Sequence, residues 1–205
     1  MAVWFTSDQH FGHERILELG SGRPFQNIGH HNVTIMNNWL SVVQPEDTVF
    51  VMGDIAMGNF EETVKLFSGL TGNKMFVPGN HDKIFSGANS QARIERFTPL
   101  YEAAGFTIMP ENTSTTLETS WGVQEVLLSH FPYSGDSHST VDRYAKNRFI
   151  DEGLPIIHGH THSRDKLNSN NVREFHVGVD AHAFTPVHEG EIVAWLESLK
   201  GDGHI

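Results

Sequence analysis

The chain has 205 residues, 38% hydrophobic and 19% charged, which leaves room for a sizeable core and excludes an intrinsically disordered polymer. No apolar run approaches the ~20 residues of a membrane span, and the absence of cysteine excludes disulfides and thiolate ligands. The formal charge of −11, with 14 histidines counted neutral, disfavours tracking along long nucleic acid, whose grip depends on Lys and Arg clusters.

The N-terminus has no basic segment ahead of an apolar stretch, so no signal peptide is expected, and a cytoplasmic setting is the expectation. Residues 3–6 predict a first strand that ends in Asp8-Gln9-His10. In an extended backbone Asp8 and His10 point the same way and offer one cation a carboxylate and an imidazole. Residues 12–19 predict a short helix with Ile16 inward, closed by Gly20 and Gly22. Arg23 falls in a loop and reads as solvated, with a phosphate contact as the alternative. Residues 30–43 predict a helix whose apolar side carries Val33, Met36, Leu40 and Val43, with Trp39 beside them. His13, His30 and His31 read as surface or capping residues.

Residues 48–52 form an unbroken apolar run that predicts a buried strand ending at Gly53-Asp54. Asn59 is placed to cap a helix over residues 60–70, which leaves Asp54 free for another role. A third run, residues 74–78, leads into Gly79-Asn80-His81-Asp82. Asn80 offers a neutral oxygen, His81 a proton carrier near neutral pH, and Asp82 a carboxylate able to fix the tautomer of a histidine ring.

Residues 91–104 predict a helix interrupted at Pro99. Three strand candidates follow, residues 106–109, 113–117 and 123–128, the last leading to Ser129-His130. Residues 135–139 read as a polar loop. Residues 141–150 predict a helix with a solvated basic face of Arg143, Lys146 and Arg148. Another buried run, residues 154–157, ends in His158-Gly159-His160-Thr161-His162. His160 and His162 stand two apart, and His158 reads as a core histidine. Residues 172–179 predict a strand, Asp180 marks the loop after it, and Ile192, Trp195, Leu196 and Leu199 line a C-terminal amphipathic helix. Strand–helix units followed by a strand-rich half suit an α+β fold of two packed sheets flanked by helices, in one domain spanning residues 1–205.

Five segments, each just past an apolar run, therefore offer Asp8, His10, Asp54, Asn80, His130, His160 and His162. Imidazole and carboxylate ligands without sulfur suit Mn, Fe, Zn or Ni. Seven donors exceed the needs of one tetrahedral ion, so two ions are expected, with Asp54 as the bridge. Such a pair clamps a phosphoryl oxygen and activates water, and His81, not needed as a ligand, is the candidate proton donor.

Asp8-Gln9-His10, Gly53-Asp54, Gly79-Asn80-His81-Asp82, His130 and Gly159-His160-Thr161-His162 resemble the ordered signatures of the calcineurin-like metallophosphoesterase superfamily. The resemblance implies a four-layer αββα sandwich of two mixed β-sheets. It implies one metal on Asp8, His10, Asp54 and His162, a second on Asp54, Asn80, His130 and His160, and His81 as acid or phosphate-binding histidine oriented by Asp82. Ile55-Ala56-Met57 replaces the Asp-Arg pair of the protein Ser/Thr phosphatase branch, which argues against that activity. Val177-Gly178-Val179-Asp180 and Pro186-Val187 are similar to a group of small bacterial and phage phosphoesterases. The implied activity is a Mn²⁺-favouring dinuclear phosphodiesterase acting on small phosphodiesters, with 2′,3′-cyclic nucleotides as the leading class. A phosphomonoesterase or nucleotide pyrophosphatase on the same core is the alternative, and a non-catalytic scaffold comes last. No membrane partner is expected. Phe131, Tyr133 and Phe184 are expected to be exposed, lining a subunit contact or a nucleobase pocket.

Overall fold

A computed structural model describes residues 1–19, 22–136 and 141–205. Gly20, expected to end a helix, and residues 137–139 of the expected polar loop lie outside the described residues.

Three apolar runs become β1 (Val3–Thr6), β2 (Thr48–Val51) and β3 (Asn73–Phe76). They pair in parallel, with Phe5 opposite Phe50 and Val51 opposite Phe76. β4 (Phe106–Ile108) adds a parallel edge, and the two-residue β10 (Val187–His188) pairs antiparallel with β1. The second sheet runs β5 (Asn112–Thr119), β6 (Gly122–Ser129), β7 (Ile156–His158), β9 (Asn171–His176) and β8 (Leu167–Asn168). β6, β7 and β9 are parallel to one another, while β5 and β8 run antiparallel to their neighbours. Both sheets are mixed, as expected.

Parallel strands present their carboxyl ends along one sheet edge. The segments after β1, β2 and β3 therefore emerge side by side, as do those after β6 and β7. Beyond the strands the Val179 amide donates to the Ser7 carbonyl at 3.1 Å and links the second sheet to the first, while within the second sheet the Gly159 amide donates to the His130 carbonyl at 3.0 Å.

One apolar core packs the β2–β3 face with Val49, Val51 and Phe76 against α1 (Ile28–Val42), α2 (Phe60–Thr63) and α3 (Gln91–Ala103). A second joins Phe5 and Val187 of the first sheet to Val126, Leu128, Ile157 and Phe175 of the second. It includes Ile192, Trp195, Leu196 and Leu199 of α4 (Glu189–Gly201), all four buried as their spacing predicts.

Several local expectations change. The buried side of α1 is His31, Ile35 and Trp39, while Val33 and Leu40 are 55% and 42% exposed. Trp39 sets that face, because its ring is enclosed and its indole N–H reaches the Thr71 carbonyl at 3.0 Å. α3 continues through Pro99. Asn59 stands at the N-cap of α2 but makes no side-chain cap; after four helical residues the chain tightens to a 3₁₀ turn over Val64–Gly69. Residues 12–19 hold only a 3₁₀ turn, Glu14–Leu17. Residues 141–150 form a single 3₁₀ turn, Ala145–Asn147, because Tyr144 is left-handed (φ 56°) and cannot carry a helix onward. Among the described residues no helix is long and apolar enough to cross a membrane.

Candidate metal centre

The predicted donors sit where the backbone has just left a strand, and that backbone is not extended. Asp8 (φ 62°), His10 (51°), Asp54 (56°), His160 (70°) and His162 (50°) are all left-handed. Asp and His tolerate this region better than most residues, yet such clusters are uncommon and gather at functional sites. The alternation expected to aim Asp8 with His10, and His160 with His162, is thus not what aims them. The kinked segments are held by a backbone ladder: Asp8 and His10 donate to the Gly53 and Asp54 carbonyls, each at 3.0 Å.

Among the described residues two donor clusters result. In one, Asp8 Oδ1 lies 3.8 Å from both His10 Nε2 and His162 Nε2, and the two ring nitrogens are 3.2 Å apart. In the other, Asp8, Asp54 and His130 converge, and the Asn80 amide oxygen stands 3.1 Å from His130 Nε2. Asp54 Oδ2 lies between the clusters, 3.7 Å from His10 Nε2 and 3.5 Å from His130 Nε2. Asp8 belongs to both groups, so two carboxylates, not Asp54 alone, stand at the junction. His160 belongs to neither group. Its ring centre is 5.1 Å from that of His130, and its Nε2 is 3.3 Å from Asp136 Oδ2.

The residues present fit a pair of cations. Donors each ~2.0–2.2 Å from a shared ion stand ~3–4 Å apart, which is the spacing seen. Asp8 and Asp54 are 0% and 2% exposed, and Asp8 Oδ1 is buried without a hydrogen-bond partner among the described residues. A buried carboxylate oxygen left that way is costly unless a cation meets it. The outer hydrogen bonds also leave the right nitrogens free. His130 Nδ1 donates to the Met52 carbonyl at 2.8 Å, and His162 Nδ1 to Asp180 Oδ2 at 3.1 Å, so each Nε2 lone pair faces the cluster. Gly159 is required by crowding, since a Cβ there would stand 2.5 Å from Asp8 Oδ2 and closer still to Ser7 Oγ.

His81 is exposed at the rim, its backbone N–H donating to Asp54 Oδ1 at 2.8 Å and its ring centre 5.5 Å from that of His10. Asp82 is not its orienter. That carboxylate is buried and accepts the amides of Asp54 and Gly79, each at 2.7 Å, with the Tyr101 hydroxyl donating to its other oxygen at 3.3 Å. Asp82 therefore ties the loop after β2 to the loop after β3. Burial and the neighbouring Asp54 charge both push its pKa up.

Four further residues at the site are not among the predicted donors. Arg23 is buried and Asp180 half-buried, paired at 2.7 Å. Burial alone would raise Asp180, but His162 and Arg23 hold its carboxyl well below the usual carboxylate range. Asp136 faces His160 and accepts from Arg143. Arg148, far from being solvated, is buried over the Phe131 ring and donates to the Pro132 and Gly135 carbonyls. His31 is likewise buried. Phe131 is only 2% exposed, Tyr133 is half-buried with its hydroxyl on the Leu154 carbonyl, and Phe184 is half-buried against Phe25. The first of these offers no docking surface.

A family profile described as calcineurin-like phosphoesterase matches residues 1–164. The gene 66 protein of Mycobacterium phage L5 is 35% identical over 200 residues, covering 87% of this chain and 86% of that protein. The gene 66 protein of Mycobacterium phage D29 is 34% identical over 192 residues, covering 91% and 92%. A crystal structure of a protein of unknown function from Aquifex aeolicus superposes with a TM-score of 0.66 at 25% identity, covering 93% of this chain and 97% of that one. Ordered strand-end donors, two mixed sheets with flanking helices and a profile match over most of the length agree: the chain belongs to the calcineurin-like phosphoesterase family.

Proposed function

We propose that this chain is a dinuclear-metal-dependent phosphodiesterase acting on small phosphodiesters, with 2′,3′-cyclic nucleotides as the favoured class. We further propose that residues 1–205 work as one catalytic domain in the cytoplasm. The observation that carries the reading is the pair of buried carboxylates, Asp8 and Asp54, set among His10, His130, His162 and Asn80 with donor spacings of 3.1–3.8 Å. In this reading Asp8, His10, Asp54 and His162 hold one ion, and Asp54, Asn80, His130 and His160 the other. Mn²⁺ is the favoured metal. Ions held there supply Lewis acidity toward phosphoryl oxygens and toward the attacking water.

The chain's own groups do the rest. Asp180 and the Met52 carbonyl take the Nδ1 protons of His162 and His130 and so present Nε2 inward. Asp82 fixes the loop carrying Asn80 and His81. His81, exposed and beside His10, holds a proton and donates it to the departing ester oxygen. Its exposure also leaves the phosphorus position open to a second ester group, which favours diesters over monoesters.

The test is a rate comparison on Mn²⁺-reconstituted protein. Bis(p-nitrophenyl) phosphate is expected to be cleaved faster than p-nitrophenyl phosphate, and 2′,3′-cyclic nucleotides faster than 3′,5′-cyclic ones. Faster cleavage of the monoester overturns the diesterase reading and supports the phosphomonoesterase.

A further inference from the structure

Arg23 is an arginine from an irregular loop, yet its guanidinium is 2% exposed and lies beside the donor clusters. All five of its N–H donors are used. Nε donates to Asp180 Oδ1 at 2.9 Å, and NH2 to Asp180 Oδ2 at 2.7 Å and to the Asp8 carbonyl at 2.8 Å. NH1 donates to the Gln9 carbonyl at 3.1 Å and to His31 Nε2 at 2.9 Å. The chain of bonds is directional at both ends. The Arg23 N–H aimed at His31 Nε2 requires a lone pair there, and His31 Nδ1 donates to Asn32 Oδ1 at 2.9 Å, so His31 is the neutral Nδ1–H form. At the other end Asp180 Oδ2, fixed by the guanidinium fork, accepts from His162 Nδ1 at 3.1 Å.

We infer that Arg23 and Asp180 are positioning residues that set the tautomer and the aim of His162 and brace the left-handed turn carrying Asp8 and His10. The inference rests on the metal-centre reading above, and it makes one of the two ions dependent on a pair 157 positions apart in the chain. Arg23 reaches the backbone of the turn carrying Asp8 and His10 and the side chain that orients His162; His10 and His162 belong to the first cluster alone, and Asp8 is shared with the second. Asn80 and His130, in the other cluster, are oriented without it. Arg rather than Lys is required because the fork must meet both Asp180 oxygens and two carbonyls at once.

The test pairs metal titration with a spectroscopic reading. Metal-stripped wild type, Arg23→Lys and Asp180→Asn are titrated calorimetrically with Mn²⁺. Wild type is expected to take up two ions. Each variant is expected to bind the ion on His10 and His162 ~10–100-fold more weakly, the usual effect of losing an outer hydrogen bond to a ligand, and to change much less at the other ion, which shares only Asp8 with it. Wild-type affinity for both ions in both variants overturns the inference, as does equal weakening of both. In the metal-free wild type, long-range ¹H–¹⁵N correlation at alkaline pH is expected to show His162 with its proton on Nδ1. A proton on Nε2 overturns the inference whether or not the variants fold. Wild type that takes up no metal while showing the Nδ1–H form sinks the metal-centre reading and leaves the hydrogen-bonded arrangement standing, so the two failures are separable.

Discussion

Gly53→Ala is the substitution whose cost the geometry specifies most fully. Gly53 lies between β2 and Asp54 at φ 80°, where an L-residue is strained. A Cβ there would meet the Gly79 amide nitrogen, lie 2.5 Å from Gly79 Cα, and come within 2.9 Å of His130 Nδ1. Two of these atoms are backbone and cannot rotate away. The left-handed conformation contributes ~1–2 kcal/mol and the overpacking a further ~1–3 kcal/mol. The sum, ~2–5 kcal/mol, corresponds to a melting point lower by roughly 4–20 °C for a chain of this length. The displaced atoms matter more than the total. Moving Gly79 breaks its bond to Asp82, and moving His130 breaks its bond to the Met52 carbonyl, so the cluster holding Asn80 and His130 loosens first. Urea unfolding of the metal-free protein reads the stability, and Mn²⁺ titration reads the cluster. Gly201→Ala is the control: nothing lies within 4 Å of its Cβ position, and its stability is expected to be unchanged or slightly higher. If Gly53→Ala lies within ~0.5 kcal/mol of wild type, the range of an inconsequential surface change, and binds both ions normally, the packing argument is wrong.

Further outcomes follow from the same geometry. His81→Ala is expected to keep both ions and lose ~10²–10⁴-fold in rate, most of all with a poor leaving group; loss of an ion instead makes His81 a ligand. Trp39→Ala is expected to cost ~3–5 kcal/mol in urea, whereas Val33→Ala and Leu40→Ala on the outer side of α1 stay within ~0.5 kcal/mol; a reversed order would restore the apolar stripe as the buried side. Asp47 accepts the Ala2 and Gln44 amides and the Trp4 indole N–H, which hold its carboxyl below the ordinary value. Its stabilisation is therefore present above the ordinary carboxylate pKa of ~3.9 and fades as pH falls toward the lower folded value. The melting-point gap between wild type and Asp47→Asn is expected to narrow below pH ~4; a gap that is constant with pH would contradict this.

How much could be read in advance depended on the range over which each feature is encoded. Residues 48–52 and 154–157 announce buried strands by composition, and each stops at a polar donor, so the donor set was visible without any contact being known. Strands β8 and β10 have two residues apiece and carry no periodicity. Hydropathy misplaces the face of α1 because it ranks Val33 and Leu40 above His31, while in the fold a neutral His31 accepts from buried Arg23 and belongs inside. The left-handed kinks at Asp8, His10, His160 and His162 fall on residues other than glycine, so residue type does not mark them. The Arg23–Asp180 pair spans 157 positions, a separation that leaves no local spacing to detect. Asp82 adjoins His81 in sequence, but its carboxylate is turned toward the Asp54 and Gly79 amides.

The most direct test is the number of ions bound per chain after reconstitution with Mn²⁺ and desalting, measured by elemental analysis on wild type and Asp54→Ala. Two ions in the wild type and neither retained in the variant is the predicted result, because Asp54 stands between both clusters. A wild type that holds none, or a variant that still holds two, would contradict a metal pair built around the buried carboxylates.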